Sequence, residues 1–319
     1  MDIITFHKDR YLTYYNTAIC QSEPCWFDKD AAIAKSIAFI DEAKANGASL
    51  IAFSEVWVPG YPNFLWSGNY KENIPLVQKY MANSISAYGK MLAIRQTAAK
   101  NQIYVAFGFS ERVAASLYLA QVLIGPDGNV LLHRRKTKPT HVERTLFGDS
   151  TGDSLTTVVE TLLERIGMLN CWIHIAAWPF NGEYSGGLEP YSICREANEV
   201  TTSRTCALEG GVYVLVTNQP LSAAGAALNS KGQAFVSGPD GRQLTESTDP
   251  VFDGLIYCDI DLDQIGYAKH LTDPVGHYSR PDMLRLVVDD RPNHVVERAD
   301  PAPNTSRSNS SMPTANRTG

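Results

Sequence analysis

Arg165-Ile166-Gly167-Met168-Leu169-Asn170-Cys171-Trp172 runs directly into Ile173-His174-Ile175-Ala176-Ala177-Trp178-Pro179. Each half reads as a short buried strand, largely apolar rather than alternating with a wet face. Parallel neighbours need a crossover of about a dozen residues or more, usually a helix. Here Trp172 joins Ile173 with no room for one. Either residues 165–180 form one long strand, or the chain rearranges locally after Cys171.

Working outward, the rest of the chain alternates strands and helices. Tyr15 to Gln21 reads as a first strand. Asp28 then reads as a helix N-cap, followed by Ile33, Ile37 and Ile40 at helical spacing, with Gly47 as a stop. Leu50 to Phe53 is a wholly apolar strand with both faces covered. A second helix is predicted from about Ala82 to Lys100, with Ile85, Tyr88 and Leu92 on one face, and Gln102 to Phe109 is again strand-like. Leu117 to Ile124 and Gln233 to Ser237 each run into Gly-Pro-Asp-Gly and return, as hairpins do. Val212 to Val216 and Gly254 to Ile260 complete the strands. This order predicts one α/β domain over 1–300, with a mixed sheet or two packed sheets. The segment 301–319 holds no large apolar residue except Met312 and reads as a disordered polar tail.

The chain has 319 residues, 44% of them hydrophobic, enough for a large core. Its formal charge of -6 argues against nucleic acid and anionic membranes as partners. No apolar run reaches the roughly eighteen residues of a membrane helix, and the first ten residues lack a secretory h-region. The six cysteines form no CxxC pair and no Cys/His cluster, so reduced thiols in a cytoplasmic protein fit better than disulfides or zinc. Asn304, Asn309 and Asn316 open glycosylation-like triplets, which chance explains in so polar a tail.

Three residue types at strand ends carry chemistry. Cys171 ends its apolar run, where a turn can present a thiolate, although most cysteines simply pack. Glu55 closes Leu50-Ile51-Ala52-Phe53-Ser54 and precedes aromatic, proline-rich walls. Partial desolvation there raises a carboxyl and suits it to general-base work. Lys136 lies in His133-Arg134-Arg135-Lys136-Thr137-Lys138, which is either a solvated face or the source of one inward ammonium for an anionic intermediate. Glu143 either joins the site as a second carboxylate or pairs with Arg144.

Together these segments resemble the nitrilase branch of the carbon–nitrogen hydrolase superfamily. The resemblance rests on Gln21-Ser22-Glu23-Pro24 with Trp26-Phe27-Asp28, on Phe53 to Pro62, and on Arg134 to Arg144. It rests further on Leu169-Asn170-Cys171-Trp172 and on Gly276-His277-Tyr278-Ser279-Arg280-Pro281-Asp282. It implies an αββα sandwich and hydrolysis of an organic nitrile to a carboxylic acid and ammonia. Cys171 would be the nucleophile forming a thioimidate, Glu55 the general base and acid, Lys136 the stabiliser of the tetrahedral species, and Glu143 a supporting carboxylate. It implies no metal or organic cofactor, a small-molecule nitrile as substrate, and association into dimers or spiral filaments.

The chain departs from the family at two places. Ser54 stands where the family more often has proline, and the helix that follows Cys-Trp in the family is missing here. An internal deletion after Cys171 and impaired activity follow as expectations. A cyanide hydratase or amidase of the same superfamily, or an inactive self-assembling subunit, are the competing readings.

Overall fold

The computed structural model describes residues 14–86, 91–155, 157–161, 164–167, 172–182, 186–188, 190–198, 204–220, 230–274 and 276–292. The expectations placed on Cys171, on Tyr88, on the first ten residues and on the 301–319 tail lie outside the described residues.

The chain opens with β1 (Tyr14–Gln21), α1 (Lys29–Ala45), β2 (Leu50–Ala52), α2 (Tyr70–Asn83), α3 (Leu92–Asn101), β3 (Tyr104–Val113), β4 (Ser116–Ile124) and β5 (Val130–Arg135). It continues through β6 (Val158–Thr161), β7 (Glu164–Gly167), β8 (Ile173–Ala177) and β9 (Asn181–Gly182) to α4 (Arg195–Asn198) and α5 (Cys206–Gly210). It closes with β10 (Tyr213–Thr217), β11 (Ser230–Lys231), β12 (Phe235–Ser237), β13 (Gly254–Asp261) and α6 (Asp263–Leu271). One sheet has the order β13-β1-β2-β3-β4-β5 and the other β12-β10-β8-β7-β6.

The alternation along each strand assembles the layers. On β1, Ala18 and Cys20 join α1 and α3 in one core, while Ile19 turns to the second sheet. On β3, Val105 and Phe107 face the helices and Ala106 faces the second sheet. On β10, Leu215 faces inward and Val214 and Val216 pack with Ala207 of α5. The αββα expectation is therefore met by four layers. Strands covered on both sides have no polar face to show, as in the wholly buried β2 and β10, while the edge strand β5 carries His133, Arg134 and Arg135.

Local signals place the first helix as expected. The Asp28 side chain accepts from the Ala31 N–H, and Gly47 takes φ 85° just past the end. Both Gly-Pro-Asp-Gly turns form: Gly128 N–H donates to Gly125 O and Gly241 N–H donates to Gly238 O, each at 2.9 Å. The single helix expected from Ala82 to Lys100 does not form. Ile85 instead bridges Glu111, and Ser84 Oγ lies 2.8 Å from Ser110 Oγ, which ties this stretch to β3. α2 lies earlier, opened by a capping box between Asn69 and Glu72.

The opening stretch is resolved into two strands rather than one. β7 runs parallel to β8, with Ile166 opposite Ile173 and Gly167 opposite His174. The strands are staggered, so the end of β7 lies beside the start of β8. That short overlap is what permits so brief a link. On its other side β8 pairs with β10 along its whole length, from Ile173 with Tyr213 to Ala177 with Thr217. Among the described residues, no strand pairs with 175–177 on the β7 side.

Candidate active site

The loop after β2 carries Glu55 and is fixed tightly. Gly108 of β3 lies so close beneath it that an added Cβ would stand 2.2 Å from Ser54 O. Val56 takes φ 49°, Val58-Pro59 is cis, and Trp57 is fully buried with its Nε1–H donating to Ser36 Oγ at 2.8 Å. Gln219, just beyond β10 of the other sheet, completes the anchorage. Its Nε2–H donates to Ser54 Oγ at 2.9 Å and to Glu55 O at 2.6 Å, and its Oε1 accepts from Tyr61 N–H. Sequence reasoning missed Gln219. The available signal was a pair of polar residues, Asn218-Gln219, ending an all-buried strand, which is the pattern that singled out Glu55.

Lys136 follows β5 and does point inward. Its Nζ lies 3.1 Å from Glu55 Oε1 and 3.0 Å from Glu143 Oε2. Glu143 is buried at 3% exposure and takes part in the site. It accepts from Tyr61 Oη–H at 3.0 Å and from Thr140 N–H at 2.6 Å. Three of the four expected residues thus converge, and Cys171 lies outside the described residues.

The electrostatics follow from this packing. Burial raises the Glu55 carboxyl, Lys136 pulls it back, Glu143 pushes it up, and the balance stays above the usual range. Burial alone would lower the Lys136 ammonium, but Glu55 and Glu143 outweigh it and hold it above its ordinary value. A lysine so held stays charged at neutral pH. The basic run divides by strand direction. Arg134 faces the site, where burial lowers it against the pull of Glu55, and Arg135 turns away to Glu111 at 2.7 Å.

A cavity of about 270 Å³ opens onto these groups. Its walls include Glu55, Gln121, Arg134 and Lys136 from one sheet and Ala177 and Trp178 from the end of β8. A half-buried base, a fixed cation and the apolar Ala177 and Trp178 wall suit proton transfer at an electrophilic carbon whose nitrogen gains charge. Among the described residues no cluster of His, Cys, Asp and Glu could hold a metal ion. No described helix is long and apolar enough to cross a membrane.

Comparison with known proteins gives the family. The family described as Carbon-nitrogen hydrolase matches residues 16–270. The chain is 40% identical to a cyanide hydratase of Aspergillus niger, covering 91% of this chain and 90% of that protein. It is 42% identical to a cyanide hydratase of Alternaria brassicicola, covering 91% and 88%. The Aspergillus niger alignment runs over 321 positions; 91% of 319 residues is about 290, so about 30 of its positions have no residue of this chain. In fold, the chain is similar to the NitFhit protein of C. elegans, with TM-score 0.63, 17% identity, and coverage of 88% of this chain and 69% of that one. It is also similar to an amidase of Nesterenkonia AN1, with TM-score 0.58, 14% identity, and coverage of 79% and 93%. The chain belongs to the nitrilase branch of the carbon–nitrogen hydrolase superfamily.

Proposed function

We propose that the site serves thiol-dependent addition of water to a small nitrile, with hydrogen cyanide as the first substrate and the amide as the product. The observation that carries this reading is the Lys136 ammonium, held at 3.1 and 3.0 Å between Glu55 and Glu143 on the cavity wall. The relatives named cyanide hydratase favour cyanide, and hydration rather than complete hydrolysis, within the nitrile class first expected.

In this reading Cys171 is the nucleophile. Glu55 takes the thiol proton as sulfur bonds to the nitrile carbon, and the nitrogen gains a proton to give a thioimidate. Water adds to that carbon with Glu55 as base, forming a tetrahedral species beside Lys136. Breaking the C–S bond returns the thiol and releases the amide, formamide in the case of cyanide. Breaking the C–N bond instead releases ammonia and leaves a thioester, which a second water opens to the acid. Glu143 holds Lys136 in place, so that its charge meets the intermediate without reorganisation.

Product analysis of isotopically labelled cyanide and a panel of small nitriles tests this. Formamide is expected, and it should vanish in Cys171→Ala and Glu55→Gln. Formate with ammonia would return the assignment to a nitrilase, and turnover of amides alone would make the chain an amidase.

A further inference from the structure

Lys136 meets its two carboxylates through three contacts, as many as an ammonium has N–H bonds. Its Nζ lies 3.1 Å from Glu55 Oε1, 3.2 Å from Glu143 Oε1 and 3.0 Å from Glu143 Oε2. Two of the three contacts go to Glu143, and Glu55 holds the remaining one. How firmly Lys136 supports the base therefore depends on how well other donors serve Glu143. Glu143 Oε2 accepts from the Thr140 N–H at 2.6 Å and from the Thr140 hydroxyl at 3.1 Å. Among the described residues, Glu143 Oε1 has one donor besides Lys136, the Tyr61 hydroxyl at 3.0 Å.

Tyr61 is fixed at both ends. Its backbone N–H donates to Gln219 Oε1 at 3.3 Å, and the same Gln219 holds the Glu55 carbonyl at 2.6 Å. Its ring meets that of Phe180, beyond β8 of the other sheet, edge to face at 5.5 Å and 78°. Tyr61 thus links the anchorage of Glu55 to the carboxylate of Glu143. Burial pushes its hydroxyl far above the usual phenol range, and the charges of Glu143 and Glu55 push it further. A phenol so raised keeps its proton and stays a donor. Trp66, the one group that pulls it down, stacks at 4.9 Å and 7° on His141, in the His141–Thr145 turn that carries Glu143. The described lining of the cavity does not include Tyr61.

We propose that Tyr61 is a positioning residue: by donating to Glu143 Oε1 it leaves Lys136 to hold Glu55, and so divides the ammonium between the two carboxylates. Without that hydroxyl, Glu143 Oε1 depends on Lys136 alone, and the ammonium is drawn toward Glu143 and away from the base. The other charges that face Glu55 are Glu143, which raises its carboxyl, and Arg134, which lowers it. Tyr80 packs beside Tyr61 in the same buried cluster, with its hydroxyl donating to Gly60 O at 3.0 Å. The proposal rests on the proposed function for the roles of base and cation, but its readout needs no turnover.

The test follows, against pH in the full chain, the protonated-carboxyl infrared band that disappears in Glu55→Gln. Tyr61→Phe keeps the ring against Phe180 and the N–H on Gln219, and a melting curve checks that it folds. In that variant the Glu55 titration should move upward by about one pH unit, the size of a weakened charge-assisted hydrogen bond. Tyr80→Phe removes an equally buried hydroxyl that touches no carboxylate, and it should leave the Glu55 titration in place. An unchanged or lowered Glu55 titration in Tyr61→Phe, or an equal rise in Tyr80→Phe, overturns the proposal. Where cyanide is turned over, Tyr61→Phe should lower kcat by about fivefold or more with KM unchanged. A raised KM at unchanged kcat would make Tyr61 a substrate contact and overturn it as well. If the Glu55 titration moves as expected but no nitrile is consumed, the positioning stands and the substrate assignment fails.

Discussion

Glu55 is the residue at which burial and function pull in opposite directions. Its folded carboxyl titrates above the ordinary 4.5, because burial outweighs the help of Lys136. The folded chain therefore binds this proton more tightly than the unfolded chain does. The resulting stabilisation is present below 4.5 and is lost as pH rises through the folded value. Glu55→Gln should accordingly raise the Tm at neutral pH, with the difference gone by about pH 4 in a pH series of melts. A Tm lowered at neutral pH would show that the Lys136 contact outweighs the burial. Glu143 is the opposite case, since its partners are complete. Removing one member of so buried a pair costs about 3–5 kcal/mol, so Glu143→Ala should lose that much in urea unfolding. A loss below about 1 kcal/mol would mean that Lys136 is satisfied without it. Sequence physics left Glu143 evenly placed between the site and Arg144, and the deciding group, the Tyr61 hydroxyl, lies far away in sequence.

Among the elements, the crossing of the Glu55 loop over β3 depends on Gly108. An alanine there meets a backbone carbonyl rather than a flexible side chain, so the loop itself must move. Gly108→Ala should cost about 1–3 kcal/mol and most of the activity. Gly182→Ala, whose Cβ would meet nothing within 4 Å, should be near neutral in the same denaturation series. The buried strands were legible because a run covered on both faces has a composition of its own. α1 was legible through Asp28 and Gly47. The break at Ser84–Ile85 was not, because it is made by pairing with Ser110 and Glu111, and helical periodicity carries straight through it. α2 carries Pro75 in its second turn, a residue that hides a helix from propensity even where, as here, a capping box of Asn69 and Glu72 opens it. Glu55 and Lys136 were legible as strand ends; the clamp by Gln219 and the stagger of β7 on β8 are tertiary facts.

For the whole molecule, the surface bears on association. Leu284, Leu286 and Val287 are each more than 80% exposed in the single chain, in a stretch over 283–288 that is apolar except for Arg285. Such a run marks a contact surface more often than an ordinary face. It supports the expected association into dimers or larger assemblies through a second copy. Sedimentation should give a mass above that of the monomer, and Leu286→Asp with Val287→Asp should lower it. A monomer at every concentration would remove this run as an interface.

The edge of β8 that no described strand covers also has a consequence for how the chain behaves in a crowded cell. Backbone N–H and C=O groups left open on a strand edge recruit other chains, and native sheets normally guard such edges. Among the described residues, the 175–177 edge of β8 has no strand partner on the β7 side, and it runs beside the cavity. A chain left in that state competes with its own aggregation during folding and depends more heavily on chaperones. Covering that edge should therefore raise the soluble yield on expression, even in a variant carrying Cys171→Ala, where no chemistry is gained.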